Sequence, residues 1–179
     1  RKDMDENSER IILQCDWQQV VLLFPKKSVD TIFLLDVVEH LPKAEGIDLL
    51  EKTCSIARKQ IVVFTPLGYC PQEHKEGRKD RWGMNGGAWQ AHQSTWMPDD
   101  FDNTWQLICV KEYHYDNGYG QIFDPPVGVI WAIRDVCADA RLLTTEQSIN
   151  VAPKNFRYIS KVARRILEIV LRKKGCRTK

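Results

Sequence analysis

No run of apolar residues in this chain approaches the ~18 needed to cross a bilayer as a helix. The first ten residues, RKDMDENSER, are polar and hold no apolar core of a secretory signal. No internal repeat or low-complexity tract occurs, which excludes solenoids and arrays. Six cysteines stand at 15, 54, 70, 109, 137 and 176, and no two form a C-x-x-C pair. That argues against a structural zinc module. Cys15, Cys54 and Cys109 fall in apolar segments, where a free thiol behaves as a small hydrophobe. The reading is a reducing, cytoplasmic setting, with a disulfide scaffold as the alternative.

What remains is ordinary globular material. The chain has 179 residues, 43% hydrophobic and 28% charged, enough for one domain with a sizeable core. Its charge is uneven. Residues 151–179 carry ten Lys or Arg and one acid, a net of +9, so the 150 residues before them carry −7 within the total of +2. An acidic body argues against a broad phosphate-binding surface and so against nucleic acid.

Residues Arg10 to Cys15 (RIILQC) are apolar and β-prone and end in Asp16-Trp17, which predicts a strand. Gln18 to Phe24 predicts a helical turn or a further extended piece. Thr31 to Asp36 is a nearly continuous apolar run, the pattern of a strand covered on both faces in a parallel sheet. Lys43 to Arg58 predicts a helix whose apolar face is Ile47, Leu50, Cys54 and Ala57. Gln60 to Thr65 predicts the next strand, ended by Pro66, which completes a βαβ unit. Leu67 to Asp100 is long, polar and rich in Gly, His and Trp, as binding loops and lids often are. Trp105 to Tyr113 and Val127 to Ile133 predict an antiparallel pair, separated by a turn-rich stretch from Asp116 to Pro126.

Taken together, Asp16 after a strand, Ser28-Val29-Asp30, LLDVVEHL, IVVFTPLGY and the later AWQAHQSTWMPDDF resemble the class I S-adenosylmethionine-dependent methyltransferases. The resemblance covers about Ile11 to Val136 and rests on D-V-x-E-H-L joined to a downstream T-P-x-G. It implies an α/β, Rossmann-like sheet, mostly parallel, with an antiparallel C-terminal strand pair. One departure is large. The family's first strand and its glycine-rich turn are absent, as is the acid after its second strand. Gly118-Tyr119-Gly120 and Gly86-Gly87 lack the strand-to-helix setting such a turn needs. The expectation is therefore that the N-terminal strands are missing from this sequence. It divides into a partial methyltransferase domain over 1–136 with a lid at 67–100, a linker at 137–153 and a basic amphipathic helix at 154–179.

The resemblance also assigns roles. Asp16 would bind the adenine amino group of S-adenosylmethionine, with Trp17 packed beside the ring. Their alternatives are a turn aspartate and a core tryptophan. Asp36 would lie beside the cofactor's methionine part, or cap the following helix. His40 and His92 are the candidate catalytic residues, since a histidine near the transferred methyl can take a proton. Some family members, among them small-RNA 2′-O-methyltransferases and ubiquinone-pathway O-methyltransferases, hold one divalent metal with a like set. Here that set would be Asp36, Glu39, His40 and His92, with Asp in place of the usual first Glu. The lid aromatics Tyr69, Trp82, Trp89 and Trp96 line a pocket or form the lid's own core. Arg78, Lys79 and Arg81 greet an anion or are simply solvated.

The expected function is methyl transfer to an oxygen or nitrogen of a small-molecule or glycan-type acceptor. The rival is a non-catalytic, methyltransferase-like binding module. In the tail, Phe156, Ile159, Ala163, Ile166 and Val170 share one helical stripe. It would pack on the body, join a homodimer or rest on a membrane surface.

Overall fold

The computed structural model describes residues 11–72, 79, 87–117, 121–137 and 149–150. In chain order the elements are α1 (Trp17–Leu23), β1 (Val29–Leu35), a 3₁₀ turn (Val38–His40), α2 (Lys43–Ile56) and β2 (Ala57–Leu67). Then come α3 (Gly87–Gln90), a second 3₁₀ turn (Pro98–Asp100), β3 (Trp105–Asp116), β4 (Ile122–Asp135) and the two-residue β5 (Ile149–Asn150). The sheet order is β1-β2-β4-β3-β5.

β1 and β2 are parallel and joined through α2, so the βαβ unit forms as expected. The expectation of a mostly parallel sheet is corrected. β4 inserts beside β2 and runs antiparallel to it, and β3 pairs antiparallel with β4's other edge. Two of the three pairings among the four main strands are therefore antiparallel. The β3–β4 pair is the expected antiparallel pair, since strands joined by a short connection run antiparallel; the departure lies in β4's antiparallel pairing with β2. β5 lies parallel to β3.

Alternation along each strand builds two apolar layers. On one face Leu34, Ile61, Val63, Ile130 and Ala132 pack with Leu49 and Leu50 of α2. On the other, Val62, Phe64, Ile108, Trp131 and Ile133 form a second cluster. Full burial of each such side chain contributes about 1.5–3 kcal/mol. At the start of β1, Asp30 takes bonds from Lys59 and Arg58, which hold its carboxyl below the usual range.

Several boundaries move for physical reasons. Residues 11–15 form no strand, and Ile11 and Ile12 are 86% and 87% exposed. Cys15 is exposed as well, so it is no core hydrophobe. The described cysteines, 15, 54, 70, 109 and 137, are free thiols. Of the predicted α2 stripe, Leu50 and Ala57 are buried and Cys54 packs against the core, whereas Ile47 is exposed; Gly46, Leu49, Thr53 and Ile56 complete the buried face. Pro66 does not end β2: it sits opposite Val129, and pairing runs on to Leu67. Pro125 and Pro126 lie inside β4 where the ladder to β3 shifts register, the place a strand tolerates residues without an N–H.

No helix among the described residues is long and apolar enough to cross a membrane. The helix expected at 154–179, and the packing, dimer or membrane role given to it, lie outside the described residues. So do Trp82, Arg78 and Arg81.

Candidate functional site

β1 ends at Leu35, and the next residue turns sharply. Asp36 has φ +53°, a left-handed conformation that Asp tolerates better than most residues. Its N–H donates to Phe64 O at 3.0 Å, so the turn stays tied to β2. The chain then enters the 3₁₀ turn Val38–His40, at the carboxyl end of the strands, where open α/β sheets place their ligands. Asp36 does not cap a helix; Val37 occupies the cap position of that turn.

Glu39 is 2% exposed. Its Oε2 accepts from Thr65 Oγ1 at 2.9 Å, and Thr65 is itself fully buried on β2. Glu39 Oε1 lies 4.0 Å from His40 Nε2. Burial, with a smaller push from the charge of Asp36, raises the Glu39 carboxyl to about 7.

A segment more than fifty residues on closes the site. Gln93 N and Ser94 N both donate to Glu39 O, at 2.8 and 3.1 Å. Gln93 Nε2 donates to His40 O, and Ser94 Oγ to Val38 O. Trp96 is buried beneath and donates to Ser94 Oγ at 3.0 Å. Lys43 Nζ lies 3.7 Å from the Trp96 ring centroid and donates to Thr95 O. Gly46 makes room: a Cβ there would lie 2.7 Å from the Trp96 ring. Residues 91–96 are thus bonded to the turn rather than a loose flap. The lid aromatics part company accordingly: Trp96 belongs to the core, whereas Trp89 and Tyr69 are 80% and 69% exposed.

This clamp brings His92 to His40, with ring centroids 4.9 Å apart. His40 Nδ1 lies 3.2 Å from Ala91 O, and His92 Nδ1 lies 2.7 Å from Cys70 O. A carbonyl oxygen only accepts, so both Nδ1 atoms carry the proton and both Nε2 atoms keep a lone pair. That is how proteins orient imidazoles as metal ligands. Burial lowers the His92 imidazole to about 4, so it stays neutral at physiological pH. One ligand atom from each of Glu39, His40 and His92 lies within 4.8 Å of the others. Bonds of ~2.0–2.2 Å to a common cation bring ligand atoms to about 3–3.5 Å of one another, so the triangle must close on binding.

Three of the four residues expected around a metal therefore converge. Asp36 stays outside this group and is exposed. Asp16 caps α1, its Oδ1 accepting from Gln19 N at 2.7 Å. Trp17 packs against the core with its Nε1 on Glu45, and Lys52 lies over its ring. Thr65, Gln93 and Ser94 support the site without having been singled out from sequence. Thr65 could have been, since it opens the T-P-x-G motif. Against known proteins, the chain matches no family model, no curated protein and no solved structure.

Proposed function

We propose that the chain binds a divalent cation through Glu39, His40 and His92, and that this centre serves methyl transfer from S-adenosylmethionine to a hydroxyl of a small-molecule or glycan-type acceptor. The observation that carries the metal reading is the convergence of those three side chains with both Nδ1 atoms held by carbonyls. Two imidazoles and a carboxylate suit Mn, Fe, Co or Zn better than Mg. A divalent cation bound there supplies Lewis acidity, which lowers the pKa of a coordinated hydroxyl.

Thr65 fixes the Glu39 carboxylate, and the carbonyls of Ala91 and Cys70 fix the two rings. The methyl-transfer part is supported by the sequence likeness, by the parallel β1–α2–β2 unit with its closing antiparallel pair, and by exposed Asp36 at the strand end. The residues present do not by themselves build a donor pocket, because the family's glycine-rich turn has no counterpart among them. A second reading is a binding module without methyl transfer.

Isothermal titration with Co²⁺ tests the metal centre. Binding by the wild type and its loss in His92→Ala is the expected result, and equal binding by both removes the centre. Titration with S-adenosylhomocysteine bears on the two readings: heat of binding supports a methyltransferase and removes the binding module.

A further inference from the structure

The second apolar face of the sheet is buried, yet no described helix contributes to it. Val62, Phe64, Ile108, Val129, Trp131 and Ile133 form that cluster, and Val110 and Tyr113 pack against it. All of them stand on β2, β3 or β4. Strand residues alone do not shield a sheet face from water; a second layer must lie over it. α2 takes the opposite face. The shielding is uneven across the strands. By register, Phe33 stands beside Val62 and Leu35 beside Phe64, on this same face. Phe33 and Leu35 are 44% and 46% exposed, whereas Val62 is 0% and Trp131 7% exposed. The cover therefore reaches β3, β4 and β2 and stops short of β1. That is the footprint of one helix, ~10–12 Å wide, on strands ~4.8 Å apart.

The cover enters from the β5 side. β5 ends at Asn150, paired with Cys109 of β3, and residues 151–179 follow directly. In that stretch Phe156, Ile159, Ala163, Ile166 and Val170 recur at helical spacing. From Asn155 to Lys174 the chain measures about 30 Å as a helix, ample to cross three strands. Other undescribed stretches match the face less well: residues 73–86 offer only Trp82 and Met84 as large apolar groups, and 138–148 only Leu142 and Leu143. Charge agrees, since residues 151–179 carry +9 and the 150 before them −7, which draws the tail to the body. Attachment at β5 makes the docking intramolecular, at an effective concentration of about millimolar, which favours a chain's own face over a second copy. We infer that the stripe from Phe156 to Val170 docks on the Val62–Ile108–Trp131 face of its own chain and leaves Arg157, Lys161 and Arg164 as a basic outer surface.

Photo-crosslinking on the full chain tests this docking. p-Benzoylphenylalanine replaces either Phe156, on the stripe, or Tyr158, on the opposite side of the helix, and mass spectrometry maps the products. The expected result is a monomeric product from position 156, joined to the strand peptides that hold Val62, Ile108 or Trp131, with no such links from position 158. Ile166→Asp lowers the yield from position 156 about tenfold, because a charge on the stripe resists burial. Both positions keep an aromatic side chain, so loss of the fold does not account for a difference between them. Links from position 156 to a second chain overturn the docking in favour of a homodimer. Strand links that vanish on phosphatidylserine vesicles overturn it in favour of a membrane surface. Links to α1 or α2, no links, equal strand links from position 158, or a yield unchanged by Ile166→Asp overturn it outright.

Discussion

Two stretches of this chain look alike as sequence and differ as structure. RIILQC runs into Asp16-Trp17, and TIFLL runs into Asp36-Val37. Both read as an apolar strand ending in a carboxylate. The second becomes β1, bonded along its length to β2, and its terminal turn is buttressed by residues 91–96. In the first, residues 11–15 take no regular structure and leave Ile11, Ile12 and Leu13 exposed. An apolar run specifies a strand only when a neighbour supplies the other half of its hydrogen bonds. Asp16 then does what a carboxylate does beside free N–H groups and caps α1.

The largest expected contrast between these regions is in packing. Trp96→Ala removes a buried ring from under the site and costs about 3–5 kcal/mol, read by urea denaturation. Leu22→Ala, on the exposed side of α1, stays within about 0.5 kcal/mol. Equal costs would show that the clamp is no better packed than the N-terminal stretch.

Next is the buried carboxyl. The folded chain raises Glu39 from 4.5 to about 7, so its contribution to stability is full below 4.5 and lost as pH rises through about 7. His92 is depressed from 6.5 to about 4, so its contribution is full above 6.5 and lost as pH falls through about 4. Between roughly pH 4.5 and 6.5 the two oppose each other, and above that only Glu39 acts. Glu39→Gln therefore stabilises the metal-free protein at pH 8, by on the order of 2 kcal/mol, while abolishing Co²⁺ binding. A loss of stability there would mean that the carboxylate is satisfied without a cation. In the wild type, Co²⁺ affinity should climb as pH rises through about 7, because the ligand must be deprotonated. A flat profile from pH 6 to 8 would remove Glu39 from the ligand set.

Smaller again is Thr65→Val, which keeps the volume and deletes the bond to Glu39. Loss of an outer partner of this kind typically weakens metal binding about 10–100-fold, measurable by competition with a chelator. The smallest effect belongs to Asp16→Ala, at about 1 kcal/mol for a lost cap and no change in Co²⁺ affinity. If it also abolished S-adenosylhomocysteine binding in a folded protein, the donor role expected of Asp16 would stand.

Much of this was legible in the residues. The run from Thr31 to Asp36, the helix from Lys43 and the strand from Gln60 each carried their own periodicity or apolar density, and all three formed. The parallel β1–β2 pair and the antiparallel β3–β4 pair were legible too, whereas β4's antiparallel pairing with β2 was not, because it is settled by where β4 inserts. Of the expected α2 stripe, Leu50, Cys54 and Ala57 do meet the core; Gly46 escaped notice because it contributes no apolar signal, yet its bare backbone accepts Trp96. In the site, Asp36, Glu39, His40 and His92 were all visible as chemistry, but which of them meet was not. Their meeting depends on Gln93 and Ser94 bonding to the backbone of residue 39 from across the fold.

Both imidazoles take their orientation from peptide oxygens, those of residues 70 and 91. Ordinary mutagenesis cannot delete such a group, so a side-chain scan would miss what the carbonyls of Ala91 and Cys70 do. Weakening the acceptor itself, by an amide-to-ester replacement at the Cys70–Pro71 linkage, where no N–H is lost, would expose that oxygen's part without changing the histidine it orients.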